Sequence, residues 1–158
     1  MTPSREKIVN DARELPPRIA ALPRPRVFTN GCFDILHRGH IDYLERAAEL
    51  GAALIVGVNS DASVRRLKKG PLRPIVSLED RMAVLAALAC VSLVTSFEED
   101  TPLELIKIVR PDHLVKGGDW QTSRIIGSDI VGSYGGQVHS LPFHYERSTS
   151  AIIERIRK

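Results

Sequence analysis

The sequence predicts an α/β protein built on a doubly wound parallel sheet, and three observations predict it. Apolar, β-prone runs alternate with helix-patterned segments about five times along the 158 residues. The run Ala53–Val58 is apolar throughout, as in a strand covered on both faces of a parallel sheet. The run that begins at Arg26 passes through a short glycine-containing loop into helical spacing at Ile41, Leu44, Ala47 and Ala48. Such a junction gathers anions, because free backbone N–H groups and the positive end of the helix dipole face the loop.

Each element follows from its residues. Ser4 to Leu22 carries Ile8, Ala12, Leu15, Ile19 and Leu22 as an apolar stripe, which predicts an N-terminal accessory helix bent near Pro16-Pro17. Residues 1–25 are thus expected as an addition to a main domain over 26–158. Arg26–Thr29 begins the first strand, and the helix after its loop runs to about Leu50, with Gly51 as C-cap. Ala53–Val58 is the second strand, followed by a helix over Ala62–Leu67. Ser77 and Asp80 resemble a capping box for a helix that turns Met82, Leu85 and Leu88 inward. Ser92–Thr95 is the third strand. The acidic run Glu98-Glu99-Asp100 is expected to cap a helix from Pro102 to Val109. Asp112–Val115 is the fourth strand, Ile125–Ser133 a helix and Gln137–Leu141 the fifth strand. A last helix runs from Ser148-Thr149-Ser150 to Lys158, with Ile152, Ile153 and Ile156 inward.

Composition narrows the function classes. A formal charge of +3 and 5% aromatic residues argue against a nucleic-acid partner, which needs a basic face interleaved with aromatics. The mild positive balance suits a small anionic substrate. The longest mainly apolar stretch, Met82–Val94, is short of the roughly 20 residues that a membrane span needs. The N-terminus lacks the apolar region of a signal peptide. Two cysteines, Cys32 and Cys90, make no disulfide framework and read as reduced thiols of a cytoplasmic protein. His113, His139 and His144 are isolated in sequence and read as structural or surface residues, so no metal site is expected.

The chemistry concentrates in loops at the carboxyl ends of strands. The first is Asn30-Gly31-Cys32-Phe33-Asp34, continued to His37-Arg38-Gly39-His40. His37 and His40 share one helix face and can reach one anion, with Gly39 leaving room for a phosphate; alternatively, the two histidines only cap the helix. Asn59 ends the second strand and is read as a site residue, whereas Asp61 is read equally as a site residue or an N-cap. Arg65 to Pro74 is a basic, Gly/Pro-marked stretch, either a solvated face or a mobile flap over a triphosphate. Lys116-Gly117-Gly118-Asp119-Trp120 follows the fourth strand as a second candidate ligand loop. Trp120 there either stacks on a ligand or packs at the rim. Ser148-Thr149-Ser150 is an N-cap run with hydroxyls to offer. Neither GxGxxG nor a Walker A loop is present, which counts against a dinucleotide redox cofactor and a P-loop enzyme.

These segments resemble the cytidylyltransferase-like nucleotidyltransferases. His37-Arg38-Gly39-His40 is similar to their HxGH signature, and Ser148-Thr149-Ser150 to their Ser/Thr-rich signature. Val115 to Asp119 looks like the corresponding segment of bacterial heptose-phosphate adenylyltransferases. The resemblance runs from about Val27 to the C-terminus. It implies a Rossmann-like five-stranded sheet of order 3-2-1-4-5 and adenylyl transfer from ATP to D-glycero-β-D-manno-heptose 1-phosphate. The products would be ADP-heptose, for lipopolysaccharide, and pyrophosphate. It further implies Mg²⁺ and a homo-oligomer. By the same resemblance His37, His40, Lys69 and Lys116 are catalytic, with Lys69 preferred over Lys68 because it precedes Gly70. Asn30, Gly31, Cys32, Phe33, His37, Gly39, His40, Asn59, Ser148, Thr149 and Ser150 would bind nucleotide. Asp34, Lys116, Gly117, Gly118 and Asp119 would bind the sugar phosphate, and Asp34 could orient His40. The adjacent Lys68-Lys69 pair and Arg147 ahead of Ser148 depart from the family pattern. A cytidylyltransferase acting on a polyol or alcohol phosphate and a non-catalytic nucleotide-binding module are the alternatives.

Overall fold

A computed structural model describes residues 1–158. Six parallel strands form one sheet: β1 (Ile8–Val9), β2 (Arg26–Gly31), β3 (Ala53–Asn59), β4 (Leu93–Phe97), β5 (His113–Gly117) and β6 (Gln137–Leu141), in the order β1-β4-β3-β2-β5-β6. The five expected strands keep their expected order, and β1 adds a short edge beside β4. Helices fill both faces: α1 (Leu15–Ala20), α2 (Arg38–Ala48), α3 (Asp61–Arg66), α4 (Leu78–Ala87), α5 (Leu103–Val109), α6 (Ser128–Ser133) and α7 (Thr149–Ile156).

The N-terminal segment differs from the single helix expected over Ser4–Leu22. It forms a 3₁₀ turn at Ser4–Lys7, the strand β1, and then α1. Ile8 and Val9 are β-branched and fit a pleated edge better than a helix. They pair with Val94 and Thr95, and the Thr95 hydroxyl donates to the Val9 carbonyl. Pro16 and Pro17 sit at the start of α1 rather than in mid-helix; a first turn has no N–H to lose there.

Alternation along the central strands splits the core into two layers. Val27, Leu54, Val56, Val58 and Val115 face Tyr43, Leu44 and Ala47 of α2 and Met82, Leu85 and Ala86 of α4. Phe28, Ile55 and Leu114 face Leu15 and Ile19 of α1, Leu105, Ile106 and Val109 of α5, and Val131 of α6. With both faces covered, the carboxyl ends of β2 and β5, which are neighbours, become the open crevice of the sheet.

The acidic run before α5 does not cap it: α5 has no side-chain cap, and Asp100 pairs with Arg66 at 2.7 Å. Ser60, not Asp61, caps α3, its hydroxyl accepting from the Ser63 N–H. No helix is long and apolar enough to cross a membrane.

Candidate active site

Where β2 ends, Phe33 takes a left-handed backbone conformation (φ 48°) that turns the chain sharply out of the sheet. The chain then enters α2 at His37, the N-cap, whose Nδ1 accepts the Gly39 N–H at 3.1 Å. With Nδ1 committed as acceptor, the neutral ring carries its proton on Nε2. The ring of His37 stacks on that of His40, centroids 3.9 Å apart, and Phe33 meets His40 edge-on at 5.5 Å. Gly39 does not line the cavity. A side chain there would come within 3.0 Å of the His37 ring, so its bare Cα makes room for the imidazole rather than for a phosphate.

A cavity of about 540 Å³ opens over this junction. It brings together Asn30, Gly31, Cys32, Phe33, Asp34, His37 and His40 from the first loop, Lys69 from the basic stretch, Lys116 and Gly117 from the end of β5, and Ser148, Thr149 and Ser150 from the start of α7. Lys68 is not among its walls; the positive φ values of Lys68 (53°) and Gly70 (123°) bracket Lys69. Ser148 caps α7 by accepting the Ala151 N–H, and the Thr149 hydroxyl donates to the Ile35 carbonyl, tying α7 to the first loop.

The electrostatics suit an anion. Burial, with His37 and Lys69 nearby, pushes His40 down to about 4, and its buried Nδ1 has no hydrogen-bond partner. Burial and then Arg147 lower His37. Burial and then Lys69 lower Lys116. Burial is the largest cause of each shift, and the neighbouring cations add to it in the direction that favours a bound anion such as a polyphosphate.

Besides Gly39, the expected residues Asn59, Gly118 and Asp119 lie outside the cavity wall, and Asp34 lines it in another role. Asn59 is buried beneath the site, its side-chain amide donating to Ser63 Oγ at 3.0 Å, while its backbone carbonyl accepts from Arg81. Asp34 does not orient His40. Its fully buried carboxylate binds the Arg73 guanidinium and accepts from the backbone N–H groups of Ile75 (2.9 Å) and Val76 (2.8 Å). Gly118 and Asp119 lie outside the cavity wall, because Gly118 turns away at φ 117° and leaves Asp119 exposed.

The structure adds Tyr43 and Phe143, which the sequence reading passed over, and brings in Arg73 of the basic stretch and Arg147, read there only as a departure from the family pattern; all four line the cavity. Tyr43 hydrogen-bonds Thr29 and donates to the Val115 carbonyl, joining α2 to β2 and β5 under the floor. Burial pushes its phenol up to about 12. Arg81, 1% exposed, donates to the carbonyls of Cys32 (2.6 Å), Asn59 (2.9 Å) and Val76 (3.0 Å) and pairs with Asp61 at 2.7 Å. The one sequence signal for Arg81 is its place directly before the inward Met82. His113 and His139, apart in sequence, hydrogen-bond each other at 2.9 Å across β5 and β6.

A parallel sheet whose crevice holds two helix N-termini, paired imidazoles and unpaired lysines defines an enzyme that moves a nucleotidyl group. The chain belongs to the cytidylyltransferase-like family, which it matches over residues 28–155. A Bordetella bronchiseptica protein described as D-beta-D-heptose 1-phosphate adenylyltransferase is 56% identical over 154 residues, 96% of this chain and 94% of that one. The "Bifunctional protein HldE" of Syntrophotalea carbinolica is 57% identical over 130 residues, of which this chain spans 26% of the relative's length. Among solved structures, the lipopolysaccharide core biosynthesis protein of Thermoplasma volcanium superposes with a TM-score of 0.62 at 28% identity, covering 77% of this chain and 98% of that one.

Proposed function

We propose that the chain transfers the adenylyl group of ATP to D-glycero-β-D-manno-heptose 1-phosphate, releasing pyrophosphate and ADP-heptose. The observation that carries this reading is the identity to the Bordetella protein, which runs through nearly the whole of both chains. The cavity supports the reaction class. An oxygen of the sugar phosphate attacks the α-phosphorus in line, and the P–O bond to the β-phosphate breaks. The attacking group is already an anion, so positioning and charge neutralisation do most of the work.

In this reading His37 Nε2 and His40 donate to phosphate oxygens as neutral imidazoles. Lys69 and Lys116 add positive charge, and the N–H groups of Cys32 and Phe33 line the cradle. The hydroxyls and first turn of α7 receive the leaving pyrophosphate. Mg²⁺ enters as the MgATP complex: Asp34, the carboxylate in the cavity wall, is taken up by Arg73 and two backbone N–H groups. Brought in on the triphosphate, the ion would neutralise phosphate charge. Residues 1–25 are read as an addition to the catalytic domain, and the active form as a cytoplasmic homo-oligomer, which light scattering would test.

The test is pyrophosphate release with Mg²⁺ and heptose 1-phosphate, offering ATP or CTP and each anomer separately. Release with ATP and the β anomer alone is the expected result. A preference for CTP, or no release with either anomer, would overturn the assignment of substrate.

A further inference from the structure

One face of α2 presents His40 to the cavity, and another holds a strap. After β6 the chain runs from Pro142 to Arg147 without helix or strand, and four contacts lay it along α2. Arg46 donates to the Pro142 carbonyl at 2.7 Å. Phe143 packs edge-on against the buried Tyr43, centroids 6.1 Å apart. His144 Nδ1 lies 3.3 Å from the Asp42 carboxylate, which also accepts from Arg46 at 3.0 Å. The Arg38 guanidinium lies over the Tyr145 ring, 3.9 Å from its centroid. Strap and helix therefore run antiparallel, and Arg38, Asp42 and Arg46 recur at helical spacing as one stripe along α2.

Arg38 makes the last of these contacts before the cavity. It stands between His37 and Gly39 in the first loop's motif, yet it is exposed and lines no part of the cavity wall. The carbonyl of its partner Tyr145 accepts the Arg147 N–H at 2.9 Å, a three-residue turn that ends the strap. Arg147, Ser148, Thr149 and Ser150 then enter the wall directly. The tie from the Thr149 hydroxyl to the Ile35 carbonyl is a long one, at 3.3 Å, so α7 also relies on the strap for its place over the first loop.

Resting on the nucleotidyltransferase reading, the geometry points to Arg38 as a positioning residue for the leaving pyrophosphate. Through Tyr145 it fixes the strap, and the strap sets Arg147 and the hydroxyls of α7 in the cavity that His37 and His40 enter from α2. Arg38 itself touches no phosphate. The ring face carries the contact, because a cation is drawn to the π-cloud and needs nothing from the phenol.

Calorimetry with pyrophosphate and Mg²⁺ tests this without turnover. Arg38→Met and Tyr145→Ala are each expected to weaken pyrophosphate binding about two- to fivefold, the span of an exposed cation–π contact. The double variant is expected to be no weaker than either single one, since the same contact is lost in all three. Tyr145→Phe keeps the ring and is expected to match wild type, while Arg38→Lys keeps the cation and recovers part of the loss. In turnover, kcat is expected to fall with the KM for the sugar phosphate unmoved. If Tyr145→Ala melts early, Tyr145→Leu carries the same comparison. A loss in Arg38→Met with none in Tyr145→Ala would make Arg38 a direct phosphate ligand and overturn the proposal, as would losses that add or equal affinity across the set. Wild-type protein that binds no pyrophosphate would instead overturn the reading of the cavity itself. No acceptor is present, so the comparison stands even if heptose phosphate proves not to be the substrate.

Discussion

His40 is neutral in the folded chain at neutral pH, held down to about 4 chiefly by burial. An unfolded histidine titrates near 6.5. As pH falls below 6.5 the unfolded chain therefore binds a proton that the native fold refuses, and stability drops progressively toward pH 4. Urea midpoints measured from pH 7 to 4.5 should fall in the wild type and fall less steeply in His40→Gln; equal slopes would rule out His40 as the source. In catalysis, His40→Ala is expected to cost well over tenfold in kcat, and a loss within about tenfold would remove it from the mechanism. Gly39 gives a sharper separation of roles. Alanine in a helical turn ordinarily adds about 0.5–1 kcal/mol of stability over glycine. Here its Cβ would press on the His37 ring. Gly39→Ala should keep or raise the melting temperature while lowering turnover, and a variant as active as wild type would show that the ring has other room.

At the scale of elements, the basic stretch between α3 and α4 is anchored at its far end by Asp34, with Arg81 holding the Val76 carbonyl. Asp34 collects Arg73, Ile75 and Val76, and no other acidic side chain lines that cavity. Removing one partner of a buried ion pair strands the other charge, at a cost of about 3–5 kcal/mol. Asp34→Asn should therefore destabilise the fold and also free residues 67–76, seen as faster limited proteolysis at Lys68 and Lys69. Unchanged cleavage would mean that Lys69 is positioned without the Asp34 anchor. The start of α7 depends on Ser148 in a smaller way, and Ser148→Ala should cost about 1 kcal/mol in a denaturant titration.

Across the whole molecule, the sheet was legible because its strands are short apolar runs set at regular intervals between amphipathic segments. The order of the five main strands followed from that alternation together with the family resemblance. The N-terminus was not legible: a helical stripe and a β-branched pair coincide at Ile8 and Val9, and the free edge of β4, which decides between them, is more than 80 residues away. The cavity's cations and imidazoles could be read because they lie in contiguous motifs. Asp34–Arg73, Tyr43–Thr29 and His113–His139 depend on pairings between distant segments, which no local spacing announces. Val9, Leu15 and Ile19 are all buried in the layer that covers Phe28 and Ile55. Leu15→Ala should thus cost about 2–5 kcal/mol although it touches no site residue, and a calorimetric melt would reveal it.

Arg81 never meets the cavity, yet its guanidinium holds the ends of β2 and β3, the start of α3 and the approach to α4 together. In a genetic screen, a substitution there would not behave like a lesion in a binding residue. It would behave as a temperature-sensitive allele: near-normal growth in the cold, loss in the warm, and suppression by unrelated changes that stabilise the fold.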